Sequence, residues 1–245
     1  MEWADTALVI GRRRHGETSV IVEAMTRAHG RHLGIVRGGH SRSLQPVLQP
    51  GNTIAVVWRA RLEEHLGAFA VELLESRAAR LMETPFALHG LNHLSGMLHM
   101  LPERDPHTDL FEMAETLAGH LDDRTLAPDL LVRFELALLA EFGVGLDLDR
   151  CALSGVTDDL AYVSPKSGRA VSREAGAPWR ERLLPLPAFL FAAAGCRRLT
   201  RQEIDDAFAL TGHFLDRELF APRGQLLPVA RERLLVLLRD DASTP

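Results

Sequence analysis

The first eighty residues alternate. Ile54, Val56, Trp58 and Ala60 fall on one side of a run whose other side carries Thr53, Ala55, Val57, Arg59 and Arg61, the period-two pattern of a half-buried strand. Thr6 to Arg12, Ser19 to Thr26, Arg31 to Gly38 and Gly67 to Leu73 supply four more β-branched or aliphatic runs. Between them stand the turn signals His15-Gly16-Glu17, His29-Gly30 and Pro50-Gly51. Five short strands over residues 1–80, joined by Gly and Pro turns, predict a small closed β-barrel of the OB-fold kind.

The period changes near Thr84, and residues 81–245 read as an all-α domain. Thr84-Pro85 forms an N-cap followed by proline in the first turn, opening a helix to about Leu101. Thr108 opens another, with Leu110, Met113, Ala114, Leu117 and Leu121 on one face. Pro128 to Phe142 is apolar nearly all round and predicts the central buried helix. Residues 149–179 lack periodicity and form an irregular insertion around Ser164-Pro165-Lys166-Ser167-Gly168. Helices are expected again at Pro187 to Ala194, from the Thr200-Arg201-Gln202-Glu203 capping box to Leu219, and from Val229 to Leu238, with a frayed tail from Asp240. The fold class is therefore α+β, multi-domain.

Hydrophobic residues make up 46% and charged residues 25% of the chain, enough for a core that needs neither disulfide nor metal. Two cysteines, Cys151 and Cys196, fit a reducing cytoplasm better than a secreted framework. No signal peptide or membrane span is expected. The net charge of −5 disfavours a polyanion partner until its distribution is considered. Between Ile10 and Arg61 stand Arg12, Arg13, Arg14, Arg27, Arg31, Arg37, Arg42, Arg59 and Arg61 against Glu17 and Glu23, a segment of +7 that leaves −12 for the rest. A cationic barrel on an acidic chain points to a local polyanion site, and these nine arginines are its candidate DNA-binding residues.

Within that segment Arg12-Arg13-Arg14 closes the first strand, where alternation puts Arg12 and Arg14 together and Arg13 opposite unless the turn re-aims them. Arg37-Gly38-Gly39-His40-Ser41-Arg42 is a glycine loop flanked by cations, suited to contacting phosphate through side chains and free amides, and it lacks the Walker ending. Trp58 is the sole Trp, Phe or Tyr of the segment and is assigned to the core, so the surface holds backbone rather than bases. No catalytic motif is present, and no enzyme activity is expected. His89 and His93 lack the companions of a zinc site, and Asp147, Asp149, Asp158 and Asp159 read as a solvated loop. A metal-dependent nuclease built on those aspartates and an OB-fold RNA- or ribosome-binding protein are the rival functions.

The order of motifs resembles the RecO family of recombination mediators. Ala7-Leu8-Val9-Ile10, His15-Gly16-Glu17, Thr26-Arg27-Ala28-His29-Gly30, Arg37-Gly38-Gly39 and Leu48-Gln49-Pro50-Gly51 carry the resemblance in the barrel. Leu146 to Ala152, Tyr162 to Gly168, Gly224 to Pro228 and Arg231 to Leu235 carry it beyond. The resemblance implies binding to single- and double-stranded DNA, strand annealing, and partnership with RecR. It further implies contact with the C-terminal tail of single-stranded DNA-binding protein, leading indirectly to RecA loading. Arg133, Arg197 and Arg198 are candidates to clamp that tail's carboxylate. Zinc-bearing members hold four cysteines; here Ser154, Ser172 and Ala175 replace three, so the resemblance implies the ribbon-like loop without the ion, and no cofactor is expected.

Overall fold

In a computed structural model the described residues are 1–195 and 197–241. Cys196 and the last four residues of the expected frayed tail lie outside them. The chain divides into two compact units, Met1–Asp122 and Asp123–Pro245.

The first unit opens with β1 (Glu2–His15), β2 (Ser19–Thr26), β3 (Gly30–Val36), β4 (Thr53–Arg59) and β5 (Ala68–Glu75). They close into a barrel in the order β1-β2-β3-β5-β4, the five-stranded OB-fold expected from the alternation. Inward positions fill the core: Val20, Val22 and Ala24 from β2 meet Ile54, Val56 and Trp58 from β4. Closure runs through one parallel seam, β3 against β5, with Ile35 opposite Ala68. Gly34 makes that approach possible, since a Cβ there would lie 2.4 Å from the Phe69 ring. Trp58 is 1% exposed, and its indole N–H donates to Leu66 O at 3.1 Å. Trp58→Ala is therefore expected to cost on the order of 3–5 kcal/mol of stability, read as a lowered melting temperature of the barrel.

The barrel's compact unit continues past residue 80. A short helix that the periodicity did not reveal, α1 (Ala78–Met82), precedes α2 (Pro85–Leu98) and α3 (Thr108–His120). Thr84 caps α2 as expected, its hydroxyl accepting from Ala87 N. Arg77, 5% exposed, bonds Thr53, Glu75 and Glu115, tying β4 and β5 to α3.

In the second unit α4 (Ala127–Glu141) is the buried helix expected, and α6 (Arg201–Phe214) begins at the predicted capping box. The helix runs on as π-helix over Leu215–Phe220, and α7 spans Val229–Asp241. The insertion is more ordered than its sequence suggests: β6 (Leu160–Val163), β7 (Ala170–Ser172) and β8 (Leu184–Pro185) form a three-stranded sheet, with the four-residue α5 (Arg173–Gly176) after β7. The helix expected at Pro187 to Ala194 is instead one 3₁₀ turn, Ala188–Phe191. Pro185 and Pro187 hold the preceding backbone extended and leave too short a run for an α-helix.

Candidate nucleic-acid interface

Six of the nine candidate arginines have no hydrogen-bond or ion-pair partner among the described residues: Arg12, Arg13, Arg14, Arg37, Arg42 and Arg61. All six are exposed, and five line two grooves of the barrel. The first groove, about 430 Å³, is formed by Arg12, Arg13 and Arg14 with Val20, His40 and Gln45. Arg12, Arg13 and Arg14 pair in unbroken register with Val22, Ile21 and Val20 of β2, so the alternation of the strand persists through them, and all three border the groove. The second groove, about 640 Å³, gathers Arg37, Arg59 and Arg61 beside Val57 and Phe69; β4 ends at Arg59, so Arg61 lies beyond the alternating strand that was expected to carry both. Both grooves border the connection from β3 to β4, which gives His40 and Gln45 to one and Arg37 and Leu44 to the other.

The remaining three arginines are engaged. Arg27 pairs with Glu112 at 2.7 Å and Arg59 with Glu2 at 2.8 Å, both in solvent. Exposed pairs of this kind contribute little to stability and leave the arginine open to a phosphate. Arg31 is different. It is 15% exposed, bonds Glu23, and donates to Leu101 O at 2.8 Å, which makes it an internal tie. The glycine loop also departs from expectation. The Gly39, His40 and Ser41 amides are spent on Val36 O, Thr18 O and Gly38 O, so the loop offers charge rather than an amide nest. Sequence reasoning passed over Gln45 as a groove residue and gave His40 no role beyond its place in the glycine loop. His40 Nε2 is buried in that wall without a partner among the described residues.

The insertion does not fit a zinc ion. Cys151 is buried, and its Sγ accepts from Ser172 N at 3.2 Å and Ser154 N at 3.4 Å. One thiol with two serines is not the donor set of a structural zinc. Among the described residues no three His, Cys, Asp or Glu side chains gather to hold a metal. Asp147 and Asp159 of the acidic loop pair with Arg169 and Arg173. Burial raises the Cys151 pKa, but the hydrogen bonds from Ser154 and Ser172 outweigh it and bring the thiol down from 9.0 to about 6. A depressed folded-state pKa means stabilisation that is complete above the free-thiol value and lost as pH falls through about 6. In a Cys196→Ser background, thiolate ultraviolet absorbance should titrate with a midpoint near pH 6, and Ser172→Ala should move that midpoint upward.

The tail-clamp candidates are largely occupied. Arg133 bonds Asp129 at 2.7 Å and the Phe189 and Ala192 carbonyls at 2.9 and 2.8 Å. Arg197 pairs with Glu203. Arg198 lines a small cavity of about 50 Å³ with Arg124, Arg201, Leu199 and Leu238. No helix among the described residues is long and apolar enough to cross a membrane.

A five-stranded barrel bearing arginines unpaired among the described residues, followed by a helical region, defines a class that comparison with known proteins makes specific. Residues 1–77 match the family model "Recombination protein O N terminal" and residues 83–227 match "Recombination protein O C terminal". The chain is 57% identical over 245 residues to the DNA repair protein RecO of Methylobacterium nodulans, covering 99% of this chain and 100% of that one. It is 54% identical over 244 residues to the RecO of Mesorhizobium japonicum, with 100% and 96% covered. The RecO of Brucella abortus is 54% identical over 235 residues, with 96% and 95% covered. The chain belongs to the RecO family of DNA repair proteins.

Proposed function

We propose that this chain is a non-catalytic, cytoplasmic recombination mediator that binds single- and double-stranded DNA by its phosphates and anneals complementary strands. The observation that carries the proposal is the set of six arginines without a partner among the described residues, five of them in two neighbouring grooves. Cations without internal partners are free to neutralise phosphates, and the counterions this releases from the nucleic acid drive association regardless of sequence. A protein that grips backbone leaves base edges free to find a complement. Membership of the family supports RecR as a partner and a route to RecA through DNA coated by single-stranded DNA-binding protein. For the acidic tail of that protein, the three arginines around Leu199 and Leu238 offer a carboxylate seat.

The deciding experiment joins two measurements on the full chain. Salt titration of oligonucleotide binding should give a steep linear log–log slope, and complementary strands should anneal faster with the protein than without it. Binding to RNA without accelerated DNA annealing would favour the rival RNA-binding function. Cleavage of DNA with magnesium or manganese would overturn the non-catalytic assignment.

A further inference from the structure

The barrel carries a third concavity, about 360 Å³, whose walls include Trp3, His29, His32, Trp58, Glu63 and Arg104. Its aromatic side is a ladder. The Trp3 and His29 rings stack with centroids 4.0 Å apart and planes 7° apart, and Trp58 continues the stack at 5.6 Å and 18°. His32 meets Trp3 edge-on at 5.1 Å. The platform is fixed: Asp5 Oδ2 lies 2.9 Å from His29 Nδ1 and also accepts from Ala28 N at 2.8 Å. Trp3 is half-buried, and His29 keeps 34% of its side chain exposed. Arg104 reaches the same cavity from a left-handed backbone, φ +64°, an unfavourable conformation for arginine. That backbone is held by its amide on Arg31 O at 2.8 Å and its guanidinium on His65 O at 3.0 Å.

This cavity adjoins a phosphate groove. Trp58 lines the cavity and Arg59, the next residue of β4, lines the groove with Arg37 and Arg61. Glu2 lines the cavity and pairs with that same Arg59. Glu2 opens β1 and Arg59 closes β4, and the two are partners in the ladder, so cavity and groove meet at one mouth of the barrel, where a single nucleotide can reach both. An aromatic wall beside a cationic groove is the combination that holds single strands, because every base has a face to stack.

We infer that the Trp3–His29 cavity receives one unstacked base of a single strand whose backbone lies in the Arg37–Arg59–Arg61 groove. The inference rests on the DNA-binding function proposed above. It assigns the barrel a preference for single strands over duplex, since a paired and stacked base must first be extruded. The mixed lining of Glu63, Arg104 and the two histidines sets no single pattern of donors and acceptors, so the preference is for an unpaired base, not for one kind of base.

The test compares oligodeoxythymidine with an abasic strand of equal length, by fluorescence anisotropy on the full chain. Stacking of one base should make the thymidine strand bind roughly five- to 150-fold more tightly. His29→Ala and Trp3→Leu should each bring thymidine-strand affinity down to the abasic level and leave abasic binding unchanged. Arg37→Ala with Arg61→Ala should weaken both strands alike. Because Trp3 also touches the core, thermal melts accompany that variant, and His29→Ala decides if Trp3→Leu fails to fold. Equal affinity of the unmodified protein for both strands, or a preference that survives His29→Ala, overturns the cavity assignment while leaving the groove intact. Groove variants without effect on either strand overturn this inference alone, whereas failure of the unmodified protein to bind either strand overturns the DNA-binding function and this inference with it.

Discussion

Replacing Arg12, Arg13 and Arg14 together with alanine should lower the log–log salt slope of DNA binding by about three units, one for each lost phosphate contact. The three residues line one groove and have no protein partner among the described residues, so nothing inside the fold is lost with them. Melting temperature should stay close to that of the unmodified protein, and affinity should fall alike for all base sequences. Arg37→Ala with Arg61→Ala should remove about two units in the second groove by the same reasoning. Arg59→Ala should do less, because Glu2 already competes for that guanidinium. Arg31→Ala should behave in the opposite way, lowering stability by removing its bonds to Glu23 and Leu101 while changing the salt slope little. Anisotropy titrations across a salt series check all four variants. An unchanged slope in the triple variant would exclude the Arg12–Arg14 groove from the interface.

Glu135→Ala should destabilise the helical unit by about 3–5 kcal/mol, because it strands a buried cation. Glu135 is 0% exposed on α4. Its carboxylate accepts from Arg231 Nε at 2.7 Å and Nη2 at 3.1 Å, and from the Thr211 hydroxyl. Arg231, itself 6% exposed, spends a further donor on Phe208 O at 2.8 Å. Gly212 leaves room for the guanidinium, since a Cβ there would sit 2.9 Å from Nη1. For a chain of this size such a loss lowers the melting temperature by on the order of 10 °C. Removing both charges as Glu135→Leu with Arg231→Met should recover most of the stability, because the double variant buries no unmatched ion. Thermal or urea melts of Glu135→Leu, Arg231→Met and the double variant form a mutant cycle, with Glu135→Ala measured beside them. A Glu135→Ala protein within about 1 kcal/mol of the original would show that the cluster is not a stability determinant, against the general behaviour of broken buried pairs.

The barrel was legible because its signal is local. Alternation along β4 names the inward side chains, and the β2 limits follow from the flanking turns. The state of each arginine was not local. Glu2, which engages Arg59, stands 57 positions away in sequence. The tie that withdraws Arg31 from the surface needs Leu101, 70 positions on. Helix α4 read as apolar nearly all round, yet it buries Asp129 and Glu135, whose partners Gly195 and Arg231 stand 66 and 96 positions along the chain. Trp3 escaped notice for a simpler reason. It lies before the arginine-rich segment in which aromatics were sought, and its stacking partner is a histidine.

The parallel seam between β3 and β5 gives the barrel an uneven resistance to opening. The antiparallel edges pair over seven or more residues each, whereas this edge records one pair, Ile35 with Ala68, and one further amide bond, Ile35 N to Gly67 O at 3.1 Å. Cylinders fail where they are stitched most thinly. Transient parting should begin there, and the Ile35 amide should exchange hydrogen with solvent faster than its neighbours deep in the β1–β2 ladder. The second arginine groove straddles that edge, taking Val36 and Arg37 from one side and Ala68 to Val71 from the other. A strand of DNA lying across it would act as a clasp and slow exchange at Ile35, so occupancy of the groove becomes visible at an amide that touches no phosphate.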